Sequence, residues 1–137
     1  MRYQLCKMYI LGNIFWTYDH VPYTPGFKDF FHQAISLRNR AADFFAEGKF
    51  VDDIGIKCCS KDIIAKLFEL PNDDSFLCVW NSSDTAGTIT LENSTYISEI
   101  KEFTLTGDKI IKINKKLQDI ECPKSELSII VLHKKNN

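Results

Sequence analysis

The sequence predicts an α+β fold, in which an N-terminal helical segment precedes an antiparallel β-sandwich. Two observations indicate this order. Apolar residues recur at three- and four-residue spacing between Thr24 and Glu47, as on the buried face of a helix. After Gly48 the chain changes to short apolar segments separated by turn residues, which is typical of a sandwich. We therefore divide the chain into a helical segment, 1–48, and a sandwich domain, 49–137.

The composition is that of an ordinary globular domain, with 137 residues, 45% hydrophobic and 26% charged. A net charge of -1 argues against a nucleic-acid partner, because nucleic-acid-binding proteins usually carry a basic surface that neutralises phosphates. The apolar run near the N-terminus is interrupted by polar residues and is shorter than the roughly 20 apolar residues that span a bilayer. We therefore expect neither a nucleic-acid nor a membrane partner.

Cysteine usage predicts a reducing, cytoplasmic setting. The chain has five cysteines, an odd number, and they show neither a CxxC motif nor the Cys/His spacing of a zinc site. The sequence therefore predicts no disulfide framework, no metal and no cofactor.

The first residues predict a helix that is covered on several sides. Apolar side chains in 3–11 lie around most of the helical circumference. Residues 10–18 are aromatic and bulky, and they fit either a buried strand or the end of that helix. Pro22 and Pro25 then predict a loop at 19–23.

The long second helix is predicted from Thr24 to Glu47. Thr24 can cap it, Pro25 suits its first position, and Asp29 suits the positive end of the helix dipole. Gly48 predicts a left-handed end. The apolar stripe of this helix, which is typical of a packing surface, consists of Phe27, Phe30, Phe31, Ala34, Ile35, Leu37, Ala41, Phe44 and Phe45.

The remaining chain predicts seven strands and one short extra strand. The predicted strands are Phe50–Cys58, Ile63–Glu69, Phe76–Asn81, Gly87–Glu92, Ile97–Thr106, Lys109–Ile113 and Leu127–His133, with Leu117–Glu121 as the extra one. The third and seventh strands are the most apolar, so we expect them at the centre. The sixth carries several lysines, which indicates a position near an edge.

No catalytic residue is predicted. The adjacent carboxylates of Asp52 and Asp53 would point to opposite faces of a strand, so they cannot form an acid–base pair. The usual hydrolase, nucleotide-binding and metalloprotease motifs do not occur in the sequence.

A cluster of aromatic and polar side chains is the candidate binding site. Aromatic faces beside hydrogen-bonding groups suit sugar rings, and the candidate residues are Trp16, Tyr18, Asp19, His20 and, after a separate strand, Trp80. The alternative interpretation is a packed aromatic core followed by a polar loop. Carbohydrate is therefore the predicted partner.

Three segments of the sequence resemble the C-terminal region of (β/α)8-barrel glycoside hydrolases of the α-amylase and α-galactosidase type. These segments are ISLRNR at 35–40, FFAEGKFVD at 44–52 and FLCVWN at 76–81. In that family the last barrel helix carries an LR signature, and a glycine-containing turn opens a C-terminal sandwich.

The resemblance implies that this chain holds only the last part of a barrel, which takes about 250 residues when complete. Residues before Asp19 resemble the final barrel helix and strand, and 24–47 resembles the eighth helix. The family's catalytic carboxylates lie on earlier strands and have no counterpart here. Asp19 follows the region that resembles the eighth strand, and would be a substrate contact of a complete enzyme.

The expected function is a non-catalytic accessory or structural portion of a glycoside-hydrolase-like protein of carbohydrate metabolism. One alternative is a stand-alone carbohydrate-binding sandwich module. Another is a protein-interaction module that uses the aromatic face of the helix. No linker separates the helix from the strands, so we expect the helix to pack either directly against the sandwich or against a barrel that is mostly absent. In the second case its apolar face would be exposed and the helical segment would self-associate.

Overall fold

The computed structural model describes residues 2–12 and 26–134. Its helices are α1 (Arg2–Ile10), α2 (Lys28–Arg40) and α3 (Ala42–Glu47). Its strands are β1 (Lys49–Asp52), β2 (Ile56–Cys58), β3 (Ile63–Glu69), β4 (Ser75–Asn81), β5 (Gly87–Thr104), β6 (Asp108–Cys122) and β7 (Ser128–Lys134). The predicted α+β fold, with its N-terminal helical segment and antiparallel sheet, is confirmed.

The strands form one antiparallel sheet in the order β1-β3-β4-β7-β5-β2, with β6 paired to β5. The long strand β5 pairs with β2 through its first half and with β7 through its second half. This division lets the sheet curl, so that β2 and the adjoining halves of β5 and β6 lie over one face of β3, β4 and β7. One curled sheet thus produces the sandwich-like arrangement.

The curled sheet encloses an inner core of aliphatic side chains. Leu77 and Val79 of β4 contact this core from one layer, and Ile89 and Ile120 contact it from the other. All four are at most 1% exposed, so water is excluded between the two layers. Burial of such aliphatic side chains stabilises the fold by about 1.5–3 kcal/mol for each one.

The helices cover the opposite face of the sheet and form an outer core that is rich in aromatic rings. Phe76 of β4 stacks on Phe68 of β3 with ring centroids 4.5 Å apart. Phe45 of α3 meets the Phe76 ring edge-on at 5.2 Å, and Phe44 lies 6.4 Å from it. Offset and edge-to-face geometries of this kind are the favoured ones for aromatic pairs.

The phenylalanines at the start of the predicted stripe are buried rather than exposed, and self-association of the helical segment stays a prediction. Phe27, Phe30 and Phe31 are 5%, 3% and 7% exposed, and they belong to the same core as Phe68 and Phe76. The sheet itself provides the surface that covers these side chains. The helical segment and the sheet therefore share one hydrophobic core.

The predicted single helix at 24–47 is two helices. The first begins at Lys28, and its N-cap, Phe27, makes no side-chain capping bond. Thr24 and Pro25, which were expected at the cap, lie outside the described residues. The break falls at Ala41, which has φ -104° and ψ 16° and is fully buried. The bend at this residue allows α3 to direct its phenylalanines onto β4.

Gly48 ends α3, but the predicted left-handed conformation is wrong, since its φ is -72° and its ψ is 132°. Close packing explains the glycine instead. A Cβ atom at this position would lie 2.7 Å from Cε1 of Phe76 and 2.8 Å from the carbonyl oxygen of Phe44. Glycine lets the backbone cross directly over a fully buried ring.

The strand predictions are correct for the central strands β3, β4 and β7. They are wrong for β1 and β2 and for the long strands β5 and β6. Strand β3 has the predicted bounds, and β4 and β7 occupy the predicted central positions. The predicted strand at 50–58 is split by a turn in which Asp52 and Gly55 have φ values of 69° and 88°. The two halves predicted for β5, and the two predicted for β6, are each one continuous strand.

Strand β6 lies at the predicted edge, since within the described chain it pairs only with β5. Polar residues interrupt the apolar pattern of the β5–β6 hairpin where both strands are exposed, as at Glu92 and Asn114. The paired strands also shift register between Ile97 and Glu99. Polar residues at these positions resemble the turn residues that separate strands. For this reason the sequence predicts two short strands in place of each long one.

Replacement of Gly48 by alanine tests the close packing at the end of α3. We expect Gly48→Ala to lower the free energy of unfolding by about 1–3 kcal/mol, because the buried Phe76 ring cannot move aside. Urea unfolding followed by circular dichroism measures this change. Gly107→Ala is the matched control, since a Cβ there meets no atom within 4 Å. Equal unfolding midpoints for the two variants would contradict the explanation.

Candidate functional site

The structure buries the predicted site residue Trp80. Its side chain is 9% exposed, and its ring meets Tyr3 of α1 in an edge-on contact with centroids 5.0 Å apart. Trp80 therefore belongs to the outer core and offers no open ring face to a sugar. The other candidates, Trp16, Tyr18, Asp19 and His20, lie outside the described residues.

An open groove runs along the solvent side of α2. It is a shallow depression, open to solvent, of about 460 Å³, and its lining residues are His32, Ile35, Ser36, Asn39 and Arg40. Their spacing of three and four residues places them on one face of the helix. The polar side chains of this face are opposite the buried phenylalanines, whereas Ile35 lies at the border and also packs against the outer core.

Arg40 anchors one end of this groove to the sheet. Its Nη2 donates a hydrogen bond of 2.6 Å to the carbonyl oxygen of Thr104, and its Nη1 forms an ion pair with Asp108. These contacts join α2 to the turn between β5 and β6. The helix is thus held on both sides, by its buried phenylalanines and by this arginine.

The groove offers three side chains that can both donate and accept hydrogen bonds. Within the described chain, the side chains of His32, Ser36 and Asn39 make no hydrogen bond. Ile35 adds an aliphatic surface between them. The sequence alone does not identify this groove. Its residues form the polar face of an amphipathic helix, and such a face is usually just exposed to solvent.

A second groove of about 370 Å³ lies on the curled part of the sheet. Its lining residues are Gly55, Ile56, Lys57, Thr90, Leu91, Glu92 and Gln118. Lys57 and Glu92 place opposite charges along it. The positive φ of 88° at Gly55 creates the turn at its rim.

Asp74 and His133 form a pair that resembles the orienting half of a catalytic triad. His133 Nδ1 lies 2.8 Å from Oδ2 of Asp74, and the backbone N–H of Lys134 donates to Oδ1 at 2.8 Å. The Nε2 atom of His133 is buried, and no side chain or backbone group of the described residues bonds to it. A triad needs a hydroxyl or thiol at that nitrogen. In the described part of the chain the pair therefore ties the β3–β4 turn to the end of β7.

Arg38 joins the end of α1 to α2 and α3. Its Nη2 donates to the carbonyl oxygen of Gly12 at 3.0 Å, and its guanidinium lies 3.6 Å from the centroid of the Phe45 ring. Burial lowers the pKa of this guanidinium, although arginine stays protonated in proteins. The contact with the ring face is a cation–π interaction, and it compensates part of the cost of burial.

The buried cysteines are poor nucleophiles. All five cysteines are free thiols. Burial raises the pKa of Cys6 and of Cys122 to about 12, and it also raises the pKa of the fully buried Cys78. A thiol acts as a nucleophile or metal ligand in its deprotonated form, which is scarce at neutral pH when the pKa is this high. Cys59 differs, since it is exposed and its Sγ accepts the N–H of Thr88 at 3.2 Å.

The described residues contain neither a metal-binding cluster nor a membrane-spanning helix. No group of three or more His, Cys, Asp or Glu side chains there is arranged to hold a metal ion. None of the helices in 2–12 and 26–134 has the length and apolar character needed to cross a membrane.

Thiol labelling tests the burial of the cysteines. With a disulfide reagent at about pH 8 we expect Cys59 to react fast, while Cys6, Cys78 and Cys122 react only after denaturation, since their thiolate populations are very small. The absorbance of the released thiolate gives the rate and the stoichiometry. Cys59→Ser removes the fast phase, whereas a fast phase that survives in this variant would contradict the assignment.

Removal of the Asp74 carboxylate tests its structural role. We expect Asp74→Ala to lower the free energy of unfolding by about 1–2 kcal/mol, because His133 Nδ1 and the N–H of Lys134 both lose their partner. Thermal and urea unfolding measure the change. Asp119→Ala removes an exposed carboxylate whose one hydrogen bond within the described chain comes from the Thr90 hydroxyl, and serves as the control. A midpoint for Asp74→Ala no lower than that of the control would refute the role.

Comparison of the chain with models of known protein families gave no match, and neither did a search of the curated proteins.

Proposed function

We propose that this chain is a non-catalytic accessory module of a glycoside-hydrolase-like protein, and that it binds carbohydrate in the groove along α2. The groove is the observation that carries the proposal. It combines hydroxyl, amide and imidazole groups with an aliphatic surface in a volume of about 460 Å³. Small-molecule sites in proteins are typically ~300–1,000 Å³ and combine apolar walls with a few polar groups.

The groups in the groove suit sugar hydroxyls. Each hydroxyl both donates and accepts a hydrogen bond, and the side chains of Ser36 and Asn39 can do the same. Ile35 can contact the C–H face of a ring. These three residues and Arg40 lie in ISLRNR at 35–40, one of the segments in which the sequence resembles the glycoside hydrolases.

The contacts that hold α2 in place favour a binding role for the groove over that of an ordinary solvated surface. Leu37 is fully buried, and Phe30 and Phe31 are nearly so, on the opposite side of the same helix. Arg40 is held by Thr104 and Asp108. A site on a helix fixed from both sides keeps its polar groups in place, which lowers the entropic cost of binding a ligand.

The chemistry of the described chain supports an accessory role. Burial shifts the thiols of Cys6, Cys78 and Cys122 toward the neutral, unreactive form by raising their pKa. The carboxylate of Asp74 accepts a backbone N–H in addition to its contact with His133. These groups stabilise the fold, and the groups left open to solvent in the groove are suited to hydrogen bonding.

Binding of oligosaccharides tests the proposal. We expect titration with a panel of α- and β-linked glucans and galactosides to shift the backbone NMR signals of 32–40, with no release of reducing sugar. Ser36→Ala/Asn39→Ala should weaken binding about tenfold, which corresponds to the loss of two hydrogen bonds of ordinary strength.

Gln33→Ala is the matched control, because Gln33 is an exposed amide on the same helix and does not line the groove. Carbohydrate binding along α2 is refuted if no sugar binds, or if the double variant binds as tightly as the control. Release of reducing sugar by the purified chain would refute the non-catalytic role.

A further inference from the structure

The outer edge of β6 is an open strand edge. Within the described residues β6 pairs with β5 from Asp108 to Cys122 and with no strand on its other side. Backbone N–H and C=O groups on such an edge have no partner from the sheet, and they can bind an additional strand. The contacts of Arg40 with Asp108 and Thr104 hold the start of this edge in place.

This edge carries an excess of positive charge. Four exposed lysines lie between Asp108 and Asp119, with no acidic residue among them, at positions Lys109, Lys112, Lys115 and Lys116. None of the four is within 4.0 Å of a carboxylate in the described chain. Their ammonium groups are therefore free to contact a ligand that lies along the strand.

The β5 strand neutralises only part of this charge. Glu102 is opposite Lys109 and Glu99 is opposite Lys112, on the side away from the open edge. Lys115 is opposite Ile97, which is apolar and buried. The basic character therefore increases along the edge in the direction of Lys115.

The lysines lie on both faces of the strand, together with one exposed apolar side chain. Residues two apart share a face, so Lys112 accompanies Ile110 and Lys109 accompanies Ile111. Ile110 is 61% exposed, whereas Ile111 packs against the inner core. A strand that pairs with this edge would meet ammonium groups on both faces and an aliphatic surface at Ile110.

We propose that the open edge of β6 binds an extended acidic segment of a partner protein by β-strand addition. Backbone hydrogen bonds provide the affinity, and the lysines select carboxylates. A second copy of β6 is disfavoured, because lysine would lie near lysine across the new ladder. Lysines on an edge prevent self-pairing, and the same charges attract an acidic strand.

Fluorescence anisotropy with a labelled ten-residue peptide of Glu, Val and Thr tests this proposal. We expect saturable binding that weakens as the salt concentration rises, because exposed ion pairs are screened. Lys112→Glu/Lys115→Glu should weaken binding at least about tenfold. Lys61→Glu/Lys124→Glu makes the same change of charge at two exposed lysines outside β6 and should bind like the unmodified chain.

Two further probes separate strand addition from simple charge attraction. A peptide of the same sequence with alternate backbone nitrogens methylated cannot complete the ladder, so its binding should be lost. Equal binding of the methylated peptide, or equal weakening by the two double variants, would overturn the proposal. Tighter binding of a single-stranded oligonucleotide than of the peptide would also overturn it, in favour of a nucleic-acid partner.

Discussion

The structure depends on the burial of β4 on both faces. All seven of its residues are buried, and alternate side chains enter different cores. Phe76 and Cys78 contact the helices, while Leu77 and Val79 contact the curled layer of the sheet. Each face needs its own cover, so the fold requires both the helical segment and the β5–β6 hairpin. Loss of either cover would expose a row of apolar side chains to water.

The sequence contained enough information to find the elements that pack in this centre. Strand β3 and the central positions of β4 and β7 were predicted because their apolar residues are continuous and bounded by turn residues. The partner that covers an apolar stripe is set by the tertiary fold, so local sequence patterns do not identify it. Phe30 and Phe31 indicated a packing surface, but a single sequence does not reveal whether that surface meets its own sheet or another molecule.

Local signals misled where tertiary contacts set the backbone. Gly48 directly follows a helix, where a glycine often has a left-handed conformation. Here the residue must be glycine because the Phe76 ring leaves no room for a Cβ atom. Trp80 has the position of an exposed aromatic at a strand end, yet Tyr3 of a distant helix covers it. The groove along α2 could not be predicted from the sequence for a related reason. The polar face of α2 differs from other solvated helix faces only in the tertiary contacts that hold the helix in place. Arg40 provides part of that support through residues more than 60 positions away.

The position of β7 in the sheet has a consequence for how the chain folds during synthesis. β7 comes last among the described strands, yet it lies between β4 and β5. Until residues 128–134 leave the ribosome, both of these strands have an unpaired edge, and β4 is apolar from Phe76 to Trp80. Such an edge is a site for aggregation. Sheet closure by a late strand therefore makes this chain a candidate for protection by chaperones while it is incomplete.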